Sequence, residues 1–557
     1  MLIVSQGAYR AIGPHESATA NFTRAQVPGV LMIKARYDWD LVIFGSGFAG
    51  CLMAMIARKR GYRTLILERH QHPRITLGES TTPLTNLLLE ELAVTYELDF
   101  LHSLTRWGRW KKTHPAMKVG LKRGFTFYSN SNPPETEPSS SWQKELMVAA
   151  SPRDDLADTH WWREDLDVFL LEKAIEHGVH YWDQSQPMMW EEHPNHIQLH
   201  VHQRDEVHRI STHLVIDASG GASAVASLAK IPTKPLKRTP QTFSAYSHFE
   251  GMTPKLRSSA FPYPPYQAAV HQLIPGGWIW TLHFDHQVAS AGVVFSEQQH
   301  PSLKSKQPEI IWQEAMKLAG NAASSWSQAQ PLYPLKKLER VSFIHQRIHG
   351  SRWIMLPSAA GFVDPLLSTG FPMTLLGIQR IAQGLPKAEA LVQGELPSSW
   401  EQAAKWNQRE MHLADELIGT LYTCMDCFEC FATTTLIYFA SVSYAETVRR
   451  LSKPHLAPGF LFSEDSSRSD AMLELLVTIR QHKAMNAPRA QKWESIRKAV
   501  FEFMEPINVI GLDPWKEPAH FPASMDPLFE NAFKCESSSQ AIRSMLLREG
   551  MLACEDG

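Results

Sequence analysis

The stretch LVIFGSGFAGCLMAMIARKRGYRTLILE, residues Leu41–Glu68, decides the fold. It begins with an apolar run, Leu41–Phe44, passes through a glycine-rich turn into a helix that starts near Gly47, and ends with a second apolar run, Thr64–Leu67. A strand, a glycine turn, a helix and a second strand in this order predict a parallel βαβ unit. We therefore expect an α/β fold arranged around this unit.

The turn of this unit carries the spacing G-x-G-x-x-G at Gly45, Gly47 and Gly50. The first glycine allows the tight turn, the second lets the backbone approach a pyrophosphate, and the third lets the helix pack closely on the strand. Glu68 closes the second strand, where a carboxylate accepts hydrogen bonds from an adenosine ribose. A glycine turn without a ligand is the alternative, but the complete order predicts a dinucleotide site made by Gly45, Gly47, Phe48, Ala49, Gly50 and Glu68.

Length and composition describe a large globular protein with a near-neutral charge. The chain has 557 residues, 44% hydrophobic and 20% charged, and a formal net charge of −2 from 55 Lys plus Arg and 57 Asp plus Glu. This balance gives no reason to expect a nucleic acid or an anionic membrane as partner. No apolar run reaches the roughly 18–20 residues of a membrane span, and the N-terminus lacks the pattern of a secretory signal. Six cysteines in so long a chain do not form a disulfide framework, so we expect a cytoplasmic protein.

Three further small-residue segments follow apolar runs or predicted strands. Gly78–Pro83 is a loop by composition, Asp217–Gly221 ends an apolar strand, and Gly361–Gly370 leads into a predicted helix, Phe371–Gly384. Small residues at the carboxyl end of a strand leave room for a ligand, and backbone N–H groups at a helix start suit an anion. These segments are far apart along the chain, so one cofactor site is predicted to be assembled from discontinuous pieces.

Two pairs of side chains are candidates for a role in chemistry. In the segment Met117–Phe127, Lys118 and Lys122 lie on the same side of an alternating strand, a pattern that most often marks a solvated face. Trp278 and Trp280 project from one face of another predicted strand, a pattern most often found in a protein core.

A cysteine series at Cys424, Cys427 and Cys430 raises the question of a metal or iron–sulfur cluster. A fourth thiolate is missing, and the neighbouring Phe428 and Phe431 indicate a buried helix face. We expect no metal.

At this point the motifs resemble those of the flavin-dependent halogenases, which share the fold of the single-component flavin hydroxylases. The resemblance rests on the order G-x-G-x-x-G, Gly-Glu-Ser-Thr, Lys-x-x-x-Lys, Trp-x-Trp and the segment Gly361–Gly370, GFVDPLLSTG. It covers about residues 38–390 and is weak in the C-terminal helical part. The segment Gly361–Gly370 is specific to this family and related FAD enzymes, whereas the first glycine motif is not.

The resemblance implies FAD as the cofactor, used as FADH2 with O2 and chloride or bromide. Reduced flavin would form a C4a-hydroperoxide, halide would convert it to hypohalous acid, and a lysine over the substrate would form a haloamine or direct the oxidant by a hydrogen bond. By the Lys-x-x-x-Lys spacing, Lys118 is implied as that lysine and Lys122 as the second, non-catalytic one. A lysine works best here as a desolvated amine with a lowered pKa. The remaining implied residues are Gly78, Glu79, Ser80, Thr81, Arg163, Asp364 and Gly370 at the cofactor, Thr369 and Gly370 at the halide, and Trp278 and Trp280 on the substrate side.

The order of predicted strands and helices divides the chain into four parts, and the resemblance gives two of them their FAD-binding and substrate-side roles. Residues 1–36 are an N-terminal extension, 37–238 and 345–395 form a discontinuous Rossmann-type FAD-binding domain, 239–344 an inserted β-rich substrate-side domain, and 396–557 a helical C-terminal domain. The expected partners are a separate flavin reductase and a small aromatic or carrier-bound substrate.

Three departures from the family pattern bear on the substrate and the cofactor contacts. The family's Trp-x-Trp-x-Ile-Pro is only half kept, because Thr281, Leu282 and His283 follow Trp280. Leu367 stands where tryptophan halogenases carry a glutamate, which favours a phenol- or pyrrole-type substrate over free tryptophan. Pro357-Ser358 replaces the usual Gly-Asp, so one ribityl contact is in doubt.

Two other functions are compatible with the sequence. One is an FAD-dependent monooxygenase or reductase on the same fold with no halide step, which the incomplete tryptophan motif favours. The other is an FAD-binding protein without turnover of its own, acting as a partner in a biosynthetic complex.

Overall fold

A computed structural model describes residues 34–129, 141–254 and 261–552. The predicted N-terminal extension therefore lies outside the described residues, apart from its last three positions. The strands, in chain order, are β1 (Lys34–Phe44), β2 (Thr64–Leu67), β3 (Val119–Lys122), β4 (Gly124–Tyr128), β5 (Glu145–Ala149), β6 (Asp158–Trp161), β7 (His180–Trp182), β8 (Ser185–Glu192), β9 (Ile197–Gln203), β10 (Glu206–Asp217), β11 (Thr233–Lys234), β12 (Thr242–Glu250), β13 (Ala269–Ile274), β14 (Gly277–His283), β15 (Val288–Ser296), β16 (Gln330–Pro331), β17 (Lys336–Leu338), β18 (Phe343–His345), β19 (Trp353–Met355), β20 (Gly361–Phe362) and β21 (His520–Phe521).

Helices cover the sheets and make up most of the C-terminal part. In chain order they are α1 (Phe48–Lys59), α2 (Pro83–Tyr96), α3 (Trp107–Thr113), α4 (Arg163–Glu176), α5 (Ala224–Leu228), α6 (Pro308–Ala319), α7 (Pro357–Ala360), α8 (Gly370–Gln383), α9 (Ala388–Val392), α10 (Trp400–Cys424), α11 (Phe428–Arg450), α12 (Ser466–Ala484), α13 (Arg489–Met504), α14 (Asp526–Glu530) and α15 (Ser539–Arg548).

The first sheet confirms the predicted βαβ unit. It has seven strands in the order β7-β2-β1-β10-β9-β8, with β19 also paired to β10. β1 lies between β2 and β10 and is parallel to both, so that Phe44 is paired with Leu67 on one side and with Asp217 on the other. Asp217 is in turn paired with Met355 of the parallel β19. The four strands thus end at one edge, and the small-residue segments that follow three of them are brought together there.

The second sheet is larger and mostly antiparallel. It has nine strands in the order β16-β12-β15-β14-β13-β4-β5-β21, with β17 also paired to β12. Six of these strands lie within the predicted β-rich segment 239–344, whereas β4, β5 and β21 come from residues 124–149 and 520–521. The β-rich part is therefore assembled from three regions of sequence, and its proposed chain boundaries remain a prediction.

The C-terminal part is helical, as expected. α10 and α11 are long and largely buried. α10 packs against α8 and α11 packs against α2, two helices of the predicted FAD-binding domain. The described part of the chain contains no helix with the length and apolar character that a membrane crossing requires.

Candidate functional site

A cavity of about 1290 Å³ opens at the carboxyl edge of the first sheet and is closed on its other side by β12, β14 and β15 of the second sheet. Most of the predicted cofactor and substrate-side residues line it. These are Gly45, Gly47, Phe48, Ala49, Glu68, Gly78, Glu79, Ser80, Arg163, Trp278, Trp280, Thr369 and Gly370. A cavity of this size suits a dinucleotide rather than a small metabolite.

The glycine turn forms part of the cavity wall, and each of its three glycines has the role that the spacing predicts. Gly45 has a φ of +97°, and a Cβ there would lie 2.7 Å from the Ala218 carbonyl oxygen. At Gly50 a Cβ would lie 2.0 Å from the Gly45 carbonyl oxygen, so this glycine serves helix–strand packing and is not among the residues that line the cavity. Gly47 faces the cavity beside the guanidinium of Arg163, so the backbone is open to a ligand at that point.

Glu68 is buried at the end of β2 and is held by the turn that precedes α1. Its carboxylate accepts hydrogen bonds from the backbone N–H and the hydroxyl of Ser46, both at 3.0 Å, and from the His70 N–H at 3.0 Å. Burial alone would raise its pKa, but Arg74, at 3.4 Å, together with these hydrogen bonds lowers the pKa of Glu68 below its usual value. Glu68 is thus an ionised acceptor at the predicted adenosine end of the cavity.

Arg163, at the start of α4, fixes the loop that contains Gly78–Thr81. Its guanidinium donates to the carbonyls of Leu77 and Gly78, at 3.0 and 2.9 Å, and to both oxygens of Asp167 at 2.9 Å. Arg163 and Asp167 are both buried, so the loop is attached to a rigid ion pair.

The residues of this loop point in different directions. Gly78 and Ser80 line the cavity, whereas the Glu79 carboxylate pairs with His248 Nε2 at 2.7 Å and accepts from the Ser290 hydroxyl at 2.6 Å. Thr81 does not line the cavity, because its hydroxyl donates to the Thr159 carbonyl at 2.9 Å. The loop therefore connects the cavity wall with both β12 and β6.

Of the three residues predicted for the site in the segment Gly361–Gly370, two line the cavity and Asp364 does not. Thr369 and Gly370 line the cavity where α8 begins, and the free N–H groups of a 14-residue helix start there. Asp364 was expected at the cofactor, but it is buried outside the lining. Its carboxylate accepts from the Leu366 N–H at 3.0 Å and from the Tyr422 hydroxyl at 2.9 Å.

Several basic side chains line the cavity that sequence reasoning missed. They are Arg69, Arg74, Lys336 and Arg340, in addition to the predicted Arg163. A concentration of positive charge beside a glycine turn fits the pyrophosphate of a dinucleotide. Lys336 and Arg340 come from the segment around β17, which carries no sequence motif. Their role as cavity-lining residues therefore becomes visible only in the structure.

The two lysines that the Lys-x-x-x-Lys spacing singled out have opposite environments. Lys118 precedes β3 and is exposed, with its Nζ 5.1 Å from the centre of the Trp162 ring. Lys122, the last residue of β3, is fully buried, with its Nζ 4.0 Å from the centre of the Phe125 ring and donating to the Thr81 carbonyl. The proposed chemistry needs a desolvated amine, and of these two lysines Lys122 is the buried one.

Burial also sets the acid–base state of Lys122. Desolvation lowers its pKa, and the carboxylate of Asp158, paired with Lys122 in the register of β3 and β6, acts in the opposite direction. Asp158 is itself buried, and Asn86 donates to its Oδ1 at 2.7 Å.

Lys122 is separated from the cavity by a short stack of rings. The Phe125 ring lies 5.9 Å from the ring of His271, and His271 lies 5.2 Å from Trp278, centre to centre. Both His271 and Trp278 line the cavity. Burial and the charge of Lys122 lower the pKa of His271 to about 3, so this ring is neutral at pH 7.

Comparison with known proteins agrees with this geometry. Residues 160–426 match a family described as tryptophan halogenase, and residues 43–102 match an NAD(P)-binding Rossmann-like domain. Monodechloroaminopyrrolnitrin halogenase PrnC of Pseudomonas fluorescens is 26% identical over 402 residues, which span 70% of this chain and 69% of PrnC. Tetracycline 7-halogenase of Kitasatospora aureofaciens is 23% identical over 353 residues, which span 60% of this chain and 61% of that enzyme.

Among solved structures, halogenase PltM in complex with phloroglucinol and FAD superposes with a TM-score of 0.76 at 19% identity, covering 87% of this chain and 99% of PltM. That likeness shows the fold. The chain therefore has a tryptophan-halogenase domain over residues 160–426 and a Rossmann-like dinucleotide-binding domain over residues 43–102, and halogenases are among its relatives.

Proposed function

We propose that this protein halogenates an electron-rich aromatic substrate, using FADH2 that a separate flavin reductase supplies, O2, and chloride or bromide. The observation that carries the proposal is the position of Lys122. It is a fully buried lysine, and contacts through the rings of Phe125 and His271 connect it with a cavity large enough for FAD.

The residues around the cavity suit FAD in an extended form. Gly45, Gly47 and Glu68 would hold the pyrophosphate and the adenosine, and Arg74 and Arg163 would balance the phosphate charge. Ser80, Thr369 and Gly370 would contact the flavin end. When bound and reduced, FAD supplies with O2 the oxidising equivalents that convert halide to hypohalous acid. The N–H groups at the start of α8 would hold the halide beside it.

Lys122 would act on the oxidant rather than on the flavin. A desolvated amine with a lowered pKa exists in part as the neutral nucleophile at pH 7, so it can take halogen from hypohalous acid and release water. Its hydrogen bond to the Thr81 carbonyl fixes the side chain. Gly78 and Ser80 of the same loop line the cavity, so this segment would position both the flavin and the lysine.

The substrate class is inferred from the absence of a carboxylate at the position of Leu367. Leu367 is fully buried and supplies no carboxylate to stabilise positive charge on an indole. A phenol or a pyrrole carries its own activating group and does not need one. The name of PrnC, a monodechloroaminopyrrolnitrin halogenase, and the phloroglucinol complex of PltM agree with this class.

The experiment is a reconstituted reaction. Purified protein with FAD, a flavin reductase, NADH, O2 and bromide is incubated with phloroglucinol, a pyrrole and tryptophan, each free in solution, and with a carrier-bound pyrrole. We expect brominated phenol or pyrrole and no brominated tryptophan, with turnover that depends on the added reductase. NADH consumption without added reductase, together with hydroxylated product, would instead establish the monooxygenase alternative.

A further inference from the structure

A pair of hydrogen bonds joins the C-terminal helical part to the cavity wall through Tyr422. Tyr422 lies in the last turn of α10, and its hydroxyl donates to Asp364 Oδ2 at 2.9 Å. The indole Nε1–H of Trp278, on β14, donates to the same hydroxyl at 3.1 Å. One phenol thus connects the α8 side of the FAD-binding domain with the second sheet.

An indole N–H can only donate, and the Asp364 oxygen accepts in this relay, so a group between them must both accept and donate. A tyrosine hydroxyl meets this requirement. Trp278 and Asp364 are each 1% exposed, so neither can exchange the lost partner for water without a change of conformation.

Trp278 is the part of the relay that reaches the cavity. It lines the cavity, and its ring lies 5.2 Å from His271 and 6.1 Å from Trp280, centre to centre. Tyr422 does not itself line the cavity. A rotation of the Trp278 indole would therefore open or close the space between the cavity and the rings in front of Lys122.

We propose that Tyr422 is a positioning residue that holds the Trp278 indole in the cavity wall, so that the C-terminal helical part completes the barrier between the flavin and Lys122. The role in catalysis rests on the proposed function, whereas the positioning of Trp278 does not. Tyr422 does not line the cavity and would act through Trp278. Its loss leaves the Trp278 N–H and one oxygen of Asp364 unpaired, and of these two side chains the indole is the one that lines the cavity.

The first test observes Trp278 directly and needs no activity. The protein is labelled with 5-fluorotryptophan, and the fluorine NMR signal of Trp278 is assigned with Trp278→Phe. Tyr422→Phe should move or broaden that signal and leave most of the other tryptophan signals in place. The matched control is Tyr444→Phe, since Tyr444 is also a buried tyrosine of the helical part and donates one hydrogen bond, to the Lys534 carbonyl at 3.0 Å. An unchanged Trp278 signal in folded Tyr422→Phe would overturn the proposal.

The second test measures how much hypohalous acid escapes into solution instead of reaching the substrate. With reductase, bromide and a phenol, Tyr422→Phe should give about 10-fold less halogenated product per NADH consumed, because small misplacements of positioning groups have effects of this size. Hypohalous acid trapped in solution by monochlorodimedone should rise correspondingly, and Tyr444→Phe should resemble the unaltered protein in both readouts. If the Trp278 signal moves but the product ratio does not, Tyr422 is only structural and the catalytic part of the proposal is wrong. If the unaltered protein does not halogenate at all, the proposed function fails while the NMR result still stands.

Discussion

The Nζ of Lys122 lies 4.0 Å from the centre of the Phe125 ring, in a position with no exposure to solvent. A cation in such a place is expensive unless the aromatic face and nearby polar groups compensate for its lost hydration. Asp158, across the strand pair, and the Thr81 carbonyl provide part of that compensation. A lysine that is maintained at this cost is a strong candidate for a chemical role.

Replacing Lys122 by methionine should remove halogenation while sparing flavin chemistry. Methionine fills a similar volume without an amine, and loss of a group that takes part in the chemical step typically costs about 100-fold or more in rate. The measurement is brominated product by mass spectrometry, beside NADH consumption with added reductase.

Lys118→Met is the matched control for Lys122→Met. Lys118 is exposed, with its Nζ 5.1 Å from the centre of the Trp162 ring, so its loss should change turnover by less than about threefold, as for an ordinary surface position. The reverse result, with Lys118 essential and Lys122 dispensable, would restore the assignment that the Lys-x-x-x-Lys spacing implied.

Gly45→Ala should disrupt the cofactor site and lower stability. The alanine would have to adopt a φ of +97° and would also place its Cβ 2.7 Å from the Ala218 carbonyl oxygen. Gly394→Ala separates these two effects, because Gly394 has a φ of +101° with nothing within 4 Å of a Cβ. Chemical unfolding should show that Gly45→Ala costs about 1–3 kcal/mol more than Gly394→Ala, the usual range for forced overpacking. FAD binding should weaken only in Gly45→Ala; equal effects of the two variants would mean that the collision is relieved by movement.

Arg163→Lys should loosen the loop Gly78–Thr81 although the charge is kept. A lysine cannot form the forked pair with Asp167 and also donate to the Leu77 and Gly78 carbonyls. We expect a loss of about 1–3 kcal/mol in the free energy of unfolding, since buried acceptors are left without donors, and weaker FAD binding by fluorescence titration.

The control for Arg163→Lys is Arg153→Lys. Arg153 makes the same forked contact with Asp155, at 2.7 and 3.1 Å, but both side chains are about half exposed. Solvent screens that pair, so this variant should change stability by less than about 1 kcal/mol and leave FAD binding intact. A similar loss in both variants would show that burial of the Arg163 pair is not what matters.

Asp364 should make the FAD-free protein less stable as the pH rises. Burial raises the pKa of Asp364 to about 7, and the hydrogen bonds from Tyr422 and Leu366 only partly oppose this. The unfolded carboxyl loses its proton near pH 4, whereas the folded one keeps it until about pH 7, so stability declines over this interval by up to roughly 4 kcal/mol.

Asp364→Asn removes this titration, and its carbonyl oxygen can still accept from Tyr422. The difference in free energy of unfolding between Asp364→Asn and the unaltered protein should therefore grow in favour of the variant from pH 5 to pH 8. Groups that titrate equally in both proteins cancel in this difference. A constant difference across the range would rule out a raised pKa for Asp364.

The sequence was sufficient for the elements that depend on local pattern. β1, the glycine turn, α1 and β2 follow from the apolar runs and the glycine spacing of Leu41–Glu68, and the family resemblance rested on motifs of the same local kind. Because parallel strands end at one edge, the meeting of Gly45, Ser80 and Gly370 in one cavity could also be foreseen.

The choice between the two lysines could not be made in this way. Alternation along a strand assigns Lys118 and Lys122 to the same side, but it does not tell which end of the strand is covered. The covering comes from distant sequence, since Phe125 packs against Tyr438 and Phe439 of α11, at 6.4 and 5.3 Å between ring centres. The same limit explains Asp364, whose carboxylate turns away from the cavity towards a tyrosine on α10.

The pairing of β21 with β5 has a consequence for how the protein is made. His520 and Phe521 extend the second sheet beside Met147 and Val148, and the Trp142 indole donates to the Lys516 carbonyl at 2.7 Å. During synthesis the edge of β5 therefore stays unpaired until residues 520–521, about 370 positions further along the chain, have left the ribosome. An exposed strand edge readily pairs with other chains, so this interval is when the nascent protein most needs a chaperone.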